Sequence, residues 1–189
     1  VSNPNNPFGF RPIIRLGGSP FSVAEYGKPV GDSNAIYAFD LVGFATGTAP
    51  SLPENTNYKL PIIQTGYQLT PGTSLYVGAT LAYGAASTAT VHPVTDEPDV
   101  LYIGQLKTGT TYSTTSHAHR NANVSQTTAG STTTKQSGLA IDGAGIATTS
   151  SLDLRIRGMY MSPPNAEGDS AILEVTINKH ALGLQTAGV

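Results

Sequence analysis

The stretch "SHAHR" is the first place to look for chemistry in this chain. On a strand, His117 and His119 would project to the same side, at a spacing that lets two imidazoles share a metal ion. A third ligand is missing, because no Asp, Glu or Cys lies within ten residues on either side. Two loop histidines in a Ser/Thr-rich context are the plainer reading. The run "TDEPD" gathers Asp96, Glu97 and Asp99, oxygen ligands of the kind calcium takes. It lacks the alternate-position spacing and the central glycine of an EF-hand loop, and Pro98 suits an ordinary turn between strands. Twelve acidic residues always allow a pair to be imagined across a sugar, but nothing selects one. There is no cysteine nucleophile, no G-x-S-x-G elbow and no phosphate-loop spacing. The nine tyrosines would suit a sugar-stacking platform, yet most alternate within strand-like segments and read better as core or subunit contacts. The absence of tryptophan weakens the sugar reading further. The expectation is a protein that is not an enzyme and uses no cofactor or metal.

The elements that would position such residues must come from one domain, since 189 residues are somewhat short for two. Hydrophobic residues make up 39% of the chain, but charged ones only 12%, against roughly 25% in ordinary globular proteins. Ser, Thr, Asn and Gly supply most of the polarity, a pattern common in β-rich extracellular and virion proteins. A net charge of −2 gives no electrostatic footprint for nucleic acid, and the isolated Arg155/Arg157 pair is too small to make one. No apolar run is long enough for a membrane span, and the N-terminus lacks a signal-peptide layout. With no cysteine there are no disulfides, which fits synthesis in a reducing cytosol.

Short apolar stretches rich in Val, Ile, Tyr and Thr, punctuated by Gly and Pro, carry the all-β signature. The predicted strands are 35–45, 59–66, 74–84, 88–95, 100–106, 152–161 and 171–182. The last two are clearest. Leu152, Leu154 and Ile156 alternate with Asp153, Arg155 and Arg157, and Leu173, Val175 and Ile177 alternate with Glu174, Thr176 and Asn178. The loop "SPPNAEGD" (162–169) should join these two as an antiparallel hairpin. No stretch holds a helical apolar face. Residues 108–151 read as long Ser/Thr/Gly-rich loops with one or two short strands, ordered mainly through other subunits; Asp142-Gly143 signals a turn there. The fold class expected for 21–189 is a single antiparallel β-sandwich or jelly-roll-like barrel.

Residues 1–20 stand apart. Four prolines and three glycines keep them from a helix or a central strand, yet they carry Phe8, Phe10, Ile13 and Ile14 with Arg11, Pro12 and Arg15. An extended arm would bury that grease in another polypeptide. Burial of four such side chains contributes on the order of 6–12 kcal/mol. Ordering a dozen residues costs about as much, so several arms on one oligomer would have to act together. Arg11 and Arg15 would pair with a partner's carboxylates or carbonyls. On this reading a chain without residues 1–20 stays folded but no longer binds its partner. The other reading is a hydrophobic strap over the arm's own domain.

The N-terminal stretch "NPNNPFGFRPIIRLGGSP" has a "PFGFRP" core, an apolar pair, Arg and a Gly/Ser-Pro turn, and the C-terminal stretch "LDLRIRGMYMSPPNAEGDSAILEVTINKHAL" closes on Ile177, Asn178 and His180. On these motifs both ends of the chain resemble tailed-bacteriophage capsid decoration, or cement, proteins, and "HPVTDEPDVLYIGQ" is a weaker mid-chain echo. The sequence departs from the family pattern at Ser162-Pro163-Pro164. The resemblance implies a compact β domain on the capsid exterior, present as a homo-dimer or homo-trimer. It implies binding to the major capsid protein, no catalytic role, and a function in cementing neighbouring capsid subunits after synthesis in the host cytoplasm. The alternative from the residues is a receptor- or glycan-binding β module on a virion surface.

Overall fold

The computed structural model describes residues 3–46, 51–52 and 55–183. In chain order its strands are β1 (Arg11–Arg15), β2 (Ala24–Lys28), β3 (Leu41–Phe44), β4 (Ser51–Leu52) and β5 (Asn55–Lys59). Then come β6 (Ile63–Thr65), β7 (Gly78–Thr80), β8 (Thr90–Thr95), β9 (Val100–Gln105) and β10 (Thr111–Tyr112). A four-residue helix, α1 (Thr114–His117), precedes β11 (Asn121–Ser125), β12 (Ala140–Ala147), β13 (Leu154–Met159), β14 (Gly168–Asp169) and β15 (Ile172–Ile177). The protein is all-β and its sheets are antiparallel, as the residue pattern predicted. One sheet has six strands in the order β1-β9-β15-β13-β11-β12, and a second has five in the order β2-β8-β7-β3-β6. The pairs β10-β14 and β4-β5 are separate two-stranded ribbons. The architecture is that of a sandwich, and among the described residues no sheet closes into a barrel; isolated parallel bridges pair Leu106 with Ile141 and Gly27 with Ile62.

The core follows from strand alternation. Tyr102, Leu154, Ile156, Leu173 and Val175 from the six-stranded sheet are buried against Leu41 and Ala79 of the other. A second cluster, Tyr26, Ile36, Val42, Ile63, Val77 and Val94, lies within the five-stranded sheet and its loops. The expected hairpin is present: β13 and β15 pair from Leu154–Ile177 to Met159–Leu173 around the Pro-Pro loop. Asn165 shapes that loop by donating to the carbonyls of Tyr160 and Ile172 and accepting from the Ile172 N–H.

Four expectations need correction. The first is the N-terminal boundary at residue 20. Arg11–Arg15 is an edge strand of the six-stranded sheet, and Phe10 is wholly buried in the shared core. The reason is a slot that the chain's own glycines leave open. A Cβ on Gly104 would sit 2.9 Å from the Phe10 ring, and one on Gly9, at φ +77°, would run into the Phe39 carbonyl. Second, residues 108–151 are more than long loops with one or two short strands. They contribute β10, α1, β11 and β12, and bury Val124, Leu139 and Ile141 in their own domain.

Third, Asp142-Gly143 is not a turn. It lies inside β12, where the register against β11 jumps from Asn123–Asp142 to Asn121–Ala147, so the extra residues bulge out of a continuous strand. Fourth, Asp153 does not face solvent with Arg155 and Arg157. It is fully buried, its carboxylate accepting from the N–H groups of Gly72 (2.8 Å) and Val124 (3.0 Å).

Phe10→Ala should therefore destabilise the domain by about 3–5 kcal/mol in denaturant unfolding. A chain lacking residues 1–20 should lose cooperative unfolding instead of remaining a folded domain. A truncated protein as stable as the full chain would contradict this packing.

Candidate interaction surface

The N-terminal segment is fastened at successive points along its own domain. Asn3 donates to the carbonyls of Ala166 and Asp169 and accepts from the Ala166 N–H, which locks the segment onto the hairpin loop. Gln105 follows: its Oε1 accepts from the Asn6 N–H and its Nε2 donates to the Pro4 carbonyl at 2.7 Å. Beyond Phe10, β1 pairs with β9 from Arg11–Ile103 to Arg15–Val100, with an irregularity between Pro12 and Ile14.

The seven residues singled out from the sequence thus share one edge but turn in different directions. Phe10 is consumed by the core, and Pro12 and Ile14 are half-buried opposite Tyr102 and Leu101. Arg15 is occupied as well. Its Nε donates to both oxygens of Asp99, Nη2 lies 3.0 Å from Asp99 and Nη1 3.1 Å from Glu97. The acidic turn read as a possible calcium site is the partner of this arginine, and Asp96 accepts from the Tyr26 hydroxyl at 2.9 Å. The Asp99 hydrogen bond and the two carboxylate charges raise the Arg15 pKa. Arg11 and Ile13 are exposed, and Phe8 is half-buried beside Arg11. The Arg11 guanidinium lies 5.2 Å from the centre of the Phe8 ring and 5.0 Å from that of Phe39, so two aromatic faces hold the cation in place. Ile13 is 38% exposed.

Register extends this surface across the sheet. Arg11 stands opposite Ile103, Ile103 opposite Glu174, and Thr176 opposite Arg155. The β13–β15 register slips between Ile156 and Gly158, which makes Arg157 the extra residue, and its Nε donates to the Thr176 hydroxyl at 3.2 Å. Arg11, Ile103, Glu174, Arg155 and Arg157 therefore share the face that points away from the core. The alternation of the last two strands signalled Arg155, Arg157 and Glu174 as outward-facing. Nothing local in the sequence signalled Phe39 or Ile103, because only the fold brings them beside Arg11.

His117 accepts from the Ser113 N–H and lies beside Tyr112, while His119 is exposed with φ +63°. Among the described residues no three His, Cys, Asp or Glu side chains are grouped to hold a metal ion. Tyr26, Tyr37, Tyr76, Tyr102 and Tyr112 are buried and cannot form an outer platform. Asp40 is buried and accepts from the Ser137 hydroxyl, the Thr65 hydroxyl (2.8 Å) and the Tyr37 N–H (3.0 Å). Desolvation pushes its pKa up to about 7 against those hydrogen bonds. His92 is enclosed between the hydroxyls of Thr80 (3.1 Å) and Thr90 (2.8 Å), with the buried Lys28 beside it. Burial, with a smaller push from Lys28, brings its pKa down to about 4.

Comparison with protein-family models, curated proteins and solved structures finds no match.

His92 gives the domain a pH dependence of definite sign. Its folded pKa of about 4 lies below the ordinary 6.5, so the neutral ring contributes stability above pH 6.5 that is lost as pH falls toward 4. The stability margin of the wild type over His92→Gln should shrink by up to about 3 kcal/mol across that interval, measured by denaturant unfolding. A margin independent of pH would show that the ring is not held neutral in the fold.

Proposed function

We propose that this protein is a structural component of a virion that seats on the outer surface of a tailed-phage head and cements neighbouring capsid subunits. The likeness of both chain ends to phage decoration proteins motivates this reading. The observation that carries it is that those same two ends meet in one sheet, as β1 at its edge and the β13–β15 hairpin within it. The N-terminal stretch leaves Arg11 and Ile13 exposed on the edge strand, with Phe8 half-buried beside Arg11.

The physical mode differs from that of a free arm. An unstructured leader would lose about 1–2 kcal/mol of backbone entropy per residue on docking. Here residues 3–15 are already ordered by their own domain, so a partner meets a prepared surface and that cost is met during folding. A homo-dimer or homo-trimer would then engage two or more shell subunits at once. Each contact after the first forms at high effective concentration, and the assembly resists peeling although a single face binds weakly. The protein would be made in the host cytoplasm and end on the capsid exterior, with the major capsid protein as its partner and no role in catalysis.

Purified protein mixed with undecorated heads of the phage that encodes it should co-sediment at a fixed copy number and raise the temperature at which those heads release DNA. Protein left entirely in the supernatant at saturating concentration would contradict the proposal.

A further inference from the structure

The outer face of the six-stranded sheet is unevenly charged. In the part formed by β1, β9, β15 and β13, Arg11 stands beside Ile103, Glu174 follows on the next strand, and Arg155 and Arg157 lie on the strand beyond it. Three of the chain's five arginines thus gather on one patch of a protein whose net charge is −2. Arg155 and Arg157 are two residues apart on one strand, half-buried and directed to the same side. Desolvation, and then the neighbouring Arg155 charge, lower the pKa of Arg157, so the fold keeps like charges together at some cost. Arg11 is held by its two rings before any partner arrives. Ordered guanidinium groups on one face suit flat recognition of carboxylates, since arginine binds them in a bidentate way and loses little hydration in doing so.

We infer that this half-face is the docking surface and that its partner is an acidic protein surface, whose carboxylates pair with Arg11 beside Ile103 and with Arg155 and Arg157 on the far side of Glu174. The inference rests on the shell-decorating reading for the identity of that partner, the outside of the capsid. The geometry of the arginines stands independently of it. Charge complementarity also sets the expected behaviour: association should be fast at low ionic strength and weaken as salt is added.

Two experiments separate the levels. In the first, the double variant Arg155→Glu/Arg157→Glu should bind undecorated heads at least about tenfold more weakly than wild type. Arg155→Gln/Arg157→Gln should fall between them, with thermal unfolding confirming that both variants fold. Variants that bind like wild type would overturn the inference and leave the shell-decorating function standing. In the second, amide resonances are followed while poly-L-glutamate is added to the full-length protein at low salt. Shifts confined to β1, β9, β13 and β15, and abolished in the Glu variant, are expected. Shifts elsewhere, no shifts, or equal binding to a DNA duplex would overturn the inference even if heads are bound. If wild type ignores heads but poly-L-glutamate maps to this face, the shell-decorating reading fails while the acidic-partner face survives.

Discussion

A phenylalanine near the start of the chain closes the core of a sheet whose other strands come from its second half. Phe10 lies against Gly104, and there the absent side chain leaves room for the ring. Once it is seated, the geometry around it follows. Its N–H donates to the Phe39 carbonyl at 2.8 Å, which ties the segment to the turn leading into β3 and the other sheet. The next residue begins the ladder with β9, and four residues later Arg15 is drawn onto Glu97 and Asp99. One apolar contact therefore joins both sheets to the N-terminus. It also decides which side chains of that segment remain outside.

Buried polar groups do the corresponding work for the long connections, which are too poor in apolar residues to hold themselves. Asp40 gathers the 37–40 turn, the end of β6 and Ser137 around one carboxylate. Asp153 does the same for Gly72 and β11, and Lys179, nearly buried, donates to the Gly72 carbonyl at 2.9 Å. The desolvation that raises the pKa of both aspartates is the energetic counterpart of this role. Each carboxylate replaces apolar packing as the point on which a Ser/Thr-rich loop closes, at the expense of a charge dependence that a hydrophobic contact would not have.

What could be read from the sequence divides along the same physical line. Period-2 alternation in "LDLRIRGM" and "ILEVTIN" identified β13, β15 and the hairpin between them, because those strands have one core face and one outer face. The strand at 41–44 was visible only as part of a longer apolar run. The turn holding Phe39 at φ 68° and the buried Asp40 interrupt that run, and such a turn depends on partners distant in sequence. β11, "NANVS", has almost no apolar content and its N–H at Val124 is satisfied by an aspartate 29 residues away, so no local pattern could announce it. The N-terminal segment obeys the same constraint. Its prolines and glycines truly exclude a central strand, but an edge strand tolerates Pro12, and composition alone does not say whose core receives a phenylalanine. Of the residues proposed for partner contact, the fold leaves Arg11 and Ile13 exposed and Phe8 half-buried beside Arg11. The arginines of β13 join them only through register.

The N-terminal segment belongs to its own domain and thereby builds the outer face. The chain contains no cysteine, so an introduced pair reports directly on that connectivity. Ile14 and Leu101 face each other across β1 and β9, at the separation an antiparallel pair offers for a disulfide. After oxidation of Ile14→Cys/Leu101→Cys, non-reducing electrophoresis should show a single-chain band with no free thiol. Disulfide-linked oligomers would show that the segment docks on another copy, and two free thiols would show that it does not lie along β9 at all; either result would contradict the account.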